Sequence, residues 1–417
     1  MRWSAAWNDV FQNSGARLCW LLVGFGSTLV TARFLGPDGR GVLAAATTWV
    51  SLFTAAGSLS QAPVVMFIAA GRRKDEWLPS VVGTLLVIVG LAAACGWLVA
   101  ASLAAWPRGA VFGHVPGHVL VVAFAALPSL LWLENGSSIL IALGQLRRLN
   151  LALVVSGTVN IVLIVLLVAV FHAGVVGALL AVLIAQTTAC GIGFPVIRRE
   201  AGQFRFDRHI LTRLLGGGAK LHLNAIGTFL VVQSGVLVLN HFRSAAETAY
   251  YNLALQLIAA IQAIPAAVGT VAYSIVSRDG PDAAWKEHRR LLVQAIAVIA
   301  IACVVAYVAA PAAVRILAGP AFLPTVGIFR TLLLGVVGMS MSVVMVTQWI
   351  SRGFFLRSAL LATSGGVATV VANWLVVPRY GAQGAAWVLV AICFVSMLVN
   401  LAMIVWVERR WCRRPLG

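Results

Sequence analysis

The chain has 417 residues, of which 61% are hydrophobic and only 10% are charged. No soluble core of this size can bury so much apolar surface, so the composition excludes a soluble globular domain and indicates a protein that uses lipid as its solvent. A formal net charge of +18 would be compatible with a nucleic acid partner. However, the sequence has no pattern of basic residues interleaved with aromatic residues that would form a basic groove for nucleic acid.

Apolar runs that can each cross a bilayer recur along the whole chain. A spanning helix needs roughly 20 apolar residues, and such runs lie near residues 16–35, 42–70, 78–105, 119–143, 149–171, 175–197, 214–240, 250–276, 289–310, 325–350, 357–377 and 382–407. Pro63 and several Gly and Ser residues interrupt the second run, which predicts a kink there. The predicted fold is all-α, a polytopic membrane protein of about twelve transmembrane helices.

The distribution of basic residues predicts the orientation in the membrane, because cytoplasmic connections retain Lys and Arg. Alternate connections and both chain ends carry most of the 30 Lys and Arg residues. The opposite connections carry Arg33, Arg40, Arg108, Arg243, Arg315 and Arg379. We therefore expect both termini on the cytoplasmic side, and we interpret the net charge as this topological signal, with no nucleic acid partner.

The two halves of the chain resemble each other. Gly174 and Gly177, at the start of the last predicted span of the first half, are echoed by Gly381 and Gly384 in the second half. Six spans per repeat is an even number, so the repeat predicts two six-helix lobes of the same orientation, related by a pseudo-two-fold axis along the membrane normal. Chance similarity between glycine-rich apolar segments is the alternative.

The repeat also predicts the domain organisation. We expect an N-terminal six-helix lobe over residues 1–200 and a C-terminal six-helix lobe with a cytoplasmic tail over residues 216–417. The cytoplasmic linker between them, 201–215, contains Asp207, which can cap a short interfacial helix. Three glycines follow at 216–218, and they suit either a hinge or a helix end packed through small residues.

Basic residues inside or at the ends of spans are candidates for substrate binding, since charge within a bilayer is costly. Arg17 and Lys220 lie about one turn inside matching spans of the two lobes. Arg330 lies near the outer end of the tenth span, and Arg33 lies at the end of the first. Facing a cavity between the lobes, they would form a basic path suited to phosphate oxygens. Snorkelling of the long side chains to the membrane interface is the alternative.

Glu134 is the acidic residue that falls well within an apolar run. A carboxyl group in apolar surroundings favours its protonated form, so Glu134 is a candidate for ion coupling. A neutral or salt-bridged Glu that only holds helices together is the alternative.

Other polar residues give weaker signals. Amides within spans are mostly expected to join helices, although Asn224, Gln256 and Gln262 are candidates for hydrogen bonds to sugar hydroxyls. The six cysteines are scattered singly, without metal-ligand spacing, and a P-loop is absent. The sequence therefore predicts no cofactor, no metal site and no catalytic residue.

Four segments resemble one family of transporters. They are TARFLGPDGRG at 31–41, ALGQLRRLN at 142–150, FRSAAETAYYNLA at 242–254 and GPAFLP at 319–324. With them the chain resembles, over nearly its whole length, the polysaccharide transporter (oligosaccharide flippase) family of the multidrug/oligosaccharidyl-lipid/polysaccharide exporter superfamily. Similar proteins often carry an Arg and an Asp in the seventh span, where this chain has Gln233-Ser234-Gly235.

The resemblance implies a flippase in the bacterial cytoplasmic membrane. Its cargo would be a polyprenyl-diphosphate-linked oligosaccharide, the repeat unit of an O-antigen, capsule or exopolysaccharide, moved to the outer leaflet by alternating access. The lipid bilayer, the polysaccharide polymerase and the chain-length machinery would be partners. A multidrug exporter of the same fold is the main alternative, although organic cations prefer acidic cavities. A membrane glycosyltransferase or polymerase is a further alternative, but the longest outer connection, near 106–118, offers no carboxylate.

Overall fold

The computed structural model describes the backbone of residues 2–106 and 111–411, and within them the side chains of 23–106, 111–219 and 222–409. All regular secondary structure in these residues is helical, which confirms the predicted all-α class. Within the same residues, ten helices are long and apolar enough to cross a membrane. Large apolar side chains such as Ile301 and Val308 are exposed, as expected of a surface that contacts lipid.

The helices in the described residues follow in this order: α1 (Arg2–Ser58), α2 (Ala62–Ala69), α3 (Lys74–Ala104), α4 (Gly117–Ala125), α5 (Leu127–Ala142), α6 (Leu146–Ile164), α7 (Gly174–Ala201), α8 (Arg208–Phe242), α9 (Ala245–Asp279), α10 (Trp285–Leu317), α11 (Thr325–Ser351) and α12 (Phe355–Trp411). A π-helical turn extends α6 over Val165–Val170, and a 3₁₀ turn over Pro320–Phe322 precedes α11.

Two of these helices are too long for a single crossing. Helices α1 and α12 have 57 residues each, about 85 Å of helix against a hydrocarbon core of about 30 Å. Gly36 (φ 64°) interrupts α1 and Gly381 (φ 54°) interrupts α12. A left-handed glycine ends one helical segment and lets the chain restart in a new direction. Gly174, the predicted counterpart of Gly381, also has a positive φ, 60°. The total of about twelve spans stays a prediction.

Two of the predicted spans are broken in the structure. Helix α1 ends at Ser58 and α2 begins at Ala62, which confirms the kink predicted in the second run. The fourth run is divided between α4 and α5 at Ala126, a break that the sequence analysis did not anticipate. Pro63 and Pro128 stand in the first turn of the helix after each break, where the missing N–H of a proline is tolerated.

The chain divides into two compact units. The first comprises Met1–Ile226 with Ser244–Ala246, and the second comprises Gly227–Arg243 with Glu247–Gly417. The boundary falls inside α8 because Leu214, near the start of that helix, is buried in the hydrophobic core of the first unit. The segment predicted as a linker, 201–215, therefore packs with the first unit.

Each unit joins its helices through a similar polar contact. In the first unit, the hydroxyl of Ser27 on α1 donates to Asn160 Oδ1 on α6 at 3.1 Å. In the second unit, Asn373 Nδ2 on α12 donates to the hydroxyl of Ser234 on α8, also at 3.1 Å. These contacts join the first predicted span of each half to the fifth.

In each unit an ion pair also joins the ends of two helices. Lys74 Nζ at the start of α3 lies 2.7 Å from Glu200 Oε2 at the end of α7. Arg289 Nη1 near the start of α10 lies 2.6 Å from Glu408 Oε1 near the end of α12. Each pair joins the third predicted span of its half to the last span of the same half. Matching ion pairs of this kind are expected if the two halves are a duplication. The common orientation of the two halves stays a prediction.

Asp207 caps α8, as the sequence analysis expected. Its Oδ1 accepts the backbone N–H of His209 at 2.7 Å and that of Ile210 at 3.3 Å. The helix then continues without interruption through residues 216–218 to Phe242, so no separate short helix forms before the glycines.

Replacing Asp207 by Ala is expected to destabilise the protein by about 0.5–2 kcal/mol, because two N–H groups of the first turn of α8 lose their acceptor. Thermal unfolding of the purified protein in detergent measures the change. The matched control is Asp207→Asn, which keeps a capping oxygen and should unfold close to the wild type. Equal unfolding temperatures for the Ala and Asn variants would contradict the assignment of the cap.

Candidate functional site

The break between α1 and α2 holds its backbone in an unusual conformation. Leu59 and Ser60 both have a φ of 49°, in a left-handed region that costs a residue with a Cβ of order 1–3 kcal/mol. Such strain persists where the surrounding structure enforces it, and it is concentrated at functional sites. Within a bilayer, backbone that does not form a helix is tolerated only where it is buried in protein or lines a polar site.

Helix α8 packs against this break through two of its three glycines. A Cβ at Gly218 would collide with the carbonyl oxygen of Leu59, and a Cβ at Gly217 would lie 3.0 Å from Val64 of α2. Because these residues lack a Cβ, the backbone of α8 can approach the strained carbonyl. The glycines therefore form a packing surface within a continuous helix.

Two titratable side chains reach hydroxyl groups of the break from different helices. The carboxyl group of Glu134 on α5 lies near the side chain of Ser58, whose hydroxyl donates to the carbonyl oxygen of Ala55 at 3.2 Å. Nδ1 of His222 on α8 lies 3.5 Å from Oγ of Ser60. Ser58 is buried and His222 half-buried, whereas Glu134 is exposed at the surface of its helix. The break thus brings the predicted coupling residue, Glu134, next to strained backbone.

Gln61 has an unsatisfied side chain within the break. It is 0% exposed, and neither its Oε1 nor its Nε2 has a hydrogen-bond partner among the described residues. A buried polar group without a partner costs about 1–3 kcal/mol, so an ion, a ligand or water is expected to satisfy it. Gln61 was not predicted from the sequence as a site residue. The available signal was its place beside Pro63 at the predicted kink.

Of the four residues predicted to bind a diphosphate, the structure describes the side chains of two, one in each unit. Arg33 is exposed on α1. Arg330 on α11 donates from Nε to the carbonyl oxygen of Tyr307 on α10 at 3.2 Å, and its guanidinium lies 4.4 Å from the centre of the Tyr307 ring. Arg330 is therefore engaged by the neighbouring helix of the second unit. Arg17 and Lys220 belong to α1 and α8, but their side chains lie outside the described residues.

The three amides predicted to contact sugar are divided between the two units. Asn224 is half-buried on α8 in the first unit. In the second unit, Gln256 donates to Asn252 at 3.1 Å, one turn earlier on α9. Gln262 Oε1 accepts the hydroxyl of Ser340 at 3.3 Å. That contact joins α9 to α11.

A buried arginine, Arg40, was likewise not predicted from the sequence. Arg40 is only 8% exposed, and its Nη2 lies 3.5 Å from Oγ1 of Thr28. From the sequence, Arg40 was expected in an outer connection, because it lies between the first two apolar runs. In the structure that turn is a kink at Gly36 within α1, so the guanidinium is packed between helical segments, where it needs polar partners.

Residues 30–327 of the sequence match the family described as "Polysaccharide biosynthesis protein". The chain belongs to this family. The matched segment covers well over half of the chain and includes the α1–α2 break, Glu134 and His222. No curated protein matches the sequence.

Solved structures of transporters share the fold. An inward-facing multidrug resistance transporter of the MATE family, in the MOP superfamily, has a TM-score of 0.75 at 16% identity and covers 94% of both chains. The lipid II flippase MurJ, in an inward closed conformation, has a TM-score of 0.71 at 15% identity, covering 94% of this chain and 87% of its own. A MOP superfamily transporter from Pyrococcus furiosus has a TM-score of 0.57 at 18% identity, with 97% and 93% covered.

At these identities the likeness shows the fold alone. This member of the polysaccharide biosynthesis family therefore has the fold of the MOP superfamily, and it is a multi-pass membrane protein.

Proposed function

We propose that the protein is a flippase that moves a polyprenyl-diphosphate-linked oligosaccharide from the inner to the outer leaflet of the bacterial cytoplasmic membrane. Its membership of the polysaccharide biosynthesis family, combined with the fold of MOP-superfamily transporters, carries the proposal. The charges of a diphosphate and the hydroxyls of a sugar are too costly to bury in lipid, so such a cargo needs a protein to cross. The flipped unit would pass to the polymerase and the chain-length machinery.

Transport proceeds by alternating access of the two lobes, with both termini on the cytoplasmic side. The similar polar contacts and ion pairs within the two units support a duplicated architecture, which is the usual basis of alternating access. The polar head group passes through the protein while the polyprenyl tail stays in the bilayer.

Basic residues of both halves bind the diphosphate in turn, and amides contact the sugars. The paired placement of Arg17 and Lys220 near the starts of matching spans supports this assignment, as does the affinity of guanidinium groups for phosphate oxygens. The proposed diphosphate-binding residues are Arg17, Lys220, Arg330 and Arg33, the proposed sugar contacts are Asn224, Gln256 and Gln262, and the proposed ion-coupling residue is Glu134.

Alanine at Arg17, Lys220 and Arg330 together is expected to strand the lipid-linked oligosaccharide on the cytoplasmic side. Removing one charge-assisted hydrogen bond costs about 1.5–3 kcal/mol, or roughly 10- to 100-fold in affinity. Mass spectrometry of lipid-linked sugars from a deletion strain that expresses the variant measures the accumulation. Arg357, whose guanidinium lies 5.0 Å from the centre of the Phe354 ring, supplies the control substitution Arg357→Ala. Normal export by the triple variant at a normal protein level would overturn the assignment.

The same deletion strain distinguishes the flippase hypothesis from the hypothesis of a multidrug exporter of the same fold. If the protein is a flippase, the strain should accumulate the lipid-linked intermediate and should be no more sensitive to cationic dyes than the wild type. Direct binding of cationic dyes to the purified protein, with no accumulated intermediate in the strain, would favour the exporter.

A further inference from the structure

We propose that the second unit carries a binding site for carbohydrate, formed by the ring of Trp374 and the ion pair between Arg243 and Glu247. We call these three residues, together with His241 and Phe242, the Trp374 surface. All five belong to the second unit. The choice of a sugar as the occupant rests on the proposed flippase function, whereas sugar binding itself can be measured without transport.

Two neighbouring rings fix the orientation of the Trp374 indole. The imidazole of His241, near the end of α8, stacks on it with ring centres 5.4 Å apart and planes inclined by 21°. The ring of Phe242 makes a T-shaped contact with it, with ring centres 4.7 Å apart. Trp374 is nevertheless 51% exposed. A half-exposed indole that is already held in place loses little conformational freedom when a ligand packs on it.

An exposed aromatic ring with polar groups beside it suits a sugar. The face of an indole is electron-rich, whereas a pyranose ring with equatorial hydroxyls presents C–H groups on both faces and hydroxyls around its rim. The C–H groups pack on the aromatic face, and the hydroxyls need hydrogen-bond partners next to it. The neighbours of Trp374 therefore decide whether a sugar fits.

Arg243 and Glu247 supply these polar groups. Arg243 follows Phe242 directly in the chain, and its Nε and Nη2 each lie 3.0 Å from Glu247 Oε1. Glu247 Oε2 accepts the backbone N–H of Ala382 at 3.1 Å. A Cβ on Gly381 would collide with this carboxylate, so the ion pair rests on the kink of α12. The two side chains stay 37% and 27% exposed, which leaves them accessible to a ligand.

The aromatic and polar parts are close enough to contact one ligand. Arg243 is next in sequence to Phe242, whose ring contacts Trp374. Gly381, on which the ion pair rests, lies seven residues after Trp374, which is about 10 Å along a helix. A short oligosaccharide spans this distance, so it can stack on the indole and reach the ion pair together.

Lipid head groups are the usual neighbours of tryptophan near the ends of membrane spans, but two features of the Trp374 surface favour a sugar. The indole is held by two other rings. The polar groups beside it neutralise each other, so the ion pair has little net attraction for an anionic head group. Arg379, exposed beside the kink of α12, is the group that an anionic lipid would contact.

The predicted orientation places the Trp374 surface on the outer side of the membrane. The surface lies where α8 ends at Phe242 and near Gly381, which interrupts α12. The connections that carry Arg243 and Arg379 are both predicted from the sequence to be outer. An oligosaccharide that has reached the outer leaflet would therefore meet this surface as it leaves the protein.

Saturation-transfer difference NMR tests the proposal with the full-length protein in phosphatidylcholine nanodiscs. The probe is the soluble repeat-unit oligosaccharide obtained by acid hydrolysis of the host's surface polysaccharide. Wild-type protein should transfer saturation to the C–H protons of the sugar. Trp374→Ala should weaken binding by about 10-fold or more, because the ring contact and its apolar area are lost. No transfer by the wild type beyond that of empty nanodiscs, or wild-type affinity in Trp374→Ala, would overturn the site.

Matched variants keep the test decisive. Trp387→Ala makes the same change at a tryptophan of α12 that is 52% exposed, and it should bind the sugar like the wild type. Trp374→Leu keeps an apolar side chain without an aromatic face, so it tests the site even where Trp374→Ala fails to fold. It should lose binding, whereas Trp374→Phe should retain part of it. Equal affinities of the Leu and Phe variants would count against stacking.

A change of lipid tests the head-group alternative. Replacing part of the phosphatidylcholine by phosphatidylglycerol should leave the transfer to the sugar unchanged. A loss of transfer in that lipid, restored by Arg379→Ala, would assign the Trp374 surface to anionic head groups and overturn the proposal.

The outcome for this site is separable from the outcome for the flippase proposal. Sugar binding that depends on Trp374, with no lipid-linked intermediate in the deletion strain, would support the site and reject the flippase. An accumulated intermediate without any sugar binding by the wild type would reject the site and leave the flippase proposal intact.

Discussion

Replacing Glu134 by Gln is expected to uncouple export from its driving ion. The amide has nearly the same shape as the acid, but it cannot carry a charge that an ion or a proton would neutralise. Removing one charge-assisted interaction, about 1.5–3 kcal/mol, corresponds to roughly 10- to 100-fold in the affinity for the coupling ion. Transport of a labelled lipid-linked oligosaccharide in proteoliposomes, with an imposed sodium or proton gradient, measures the effect.

Glu76 supplies the matched control for this experiment. It is an exposed acid in the first turn of α3, where a loss of charge should leave the gradient dependence of transport unchanged. If Glu134→Gln retains the full gradient dependence of the wild type, Glu134 is only a structural residue of α5.

A large side chain at Gly227 is expected to cause a large loss of stability. Helices α8 and α12 cross within the second unit at Gly227 and Gly366, and a Cβ on Gly227 would collide with the backbone of Ala362 and Thr363. Backbone atoms cannot rotate aside as a side chain can, so the two helices would have to separate. We expect Gly227→Leu to cost at least the upper end of the usual overpacking range of about 1–3 kcal/mol.

Thermal unfolding of the purified variant in detergent measures this loss, and the same helix offers a control. A Cβ on Gly216 meets no atom within 4 Å, so Gly216→Leu should be neutral or stabilising by up to about 1 kcal/mol, because leucine has the better helix propensity. Similar unfolding temperatures for the two Leu variants would show that the crossing at Gly227 is not tightly packed.

Features set by the local chain could be predicted from the sequence. Long apolar runs predict the all-α membrane fold, since only lipid can accommodate so much apolar surface. Gly36 and Gly381 mark changes of direction because a left-handed conformation suits a residue without a Cβ. Pro63 marks the kink after α1, and Asp207 marks the start of α8, because the effects of proline and of a capping carboxylate act within one turn.

Features set by contacts between distant segments could not be predicted in this way. The contact between the Arg330 guanidinium and the ring of Tyr307 is made by the packing of α11 on α10, and nothing in the sequence indicates it. Arg40 was expected in a connection, but the kink of α1 buries it beside Thr28. In both cases the spacing along the chain gives no information about which neighbour a long side chain will meet.

The sequence by itself therefore determined the class of fold, the kink at Pro63 and the position of Glu134 within an apolar run. Only the tertiary structure decided what surrounds Glu134. The α1–α2 break, α5 and the start of α8 are far apart in the chain, and packing alone brings Ser58 to Glu134 and Ser60 to His222. Gln61 resembles any helix-joining amide in the sequence. Only the folded structure shows that its Oε1 and Nε2 are buried without a hydrogen-bond partner among the described residues.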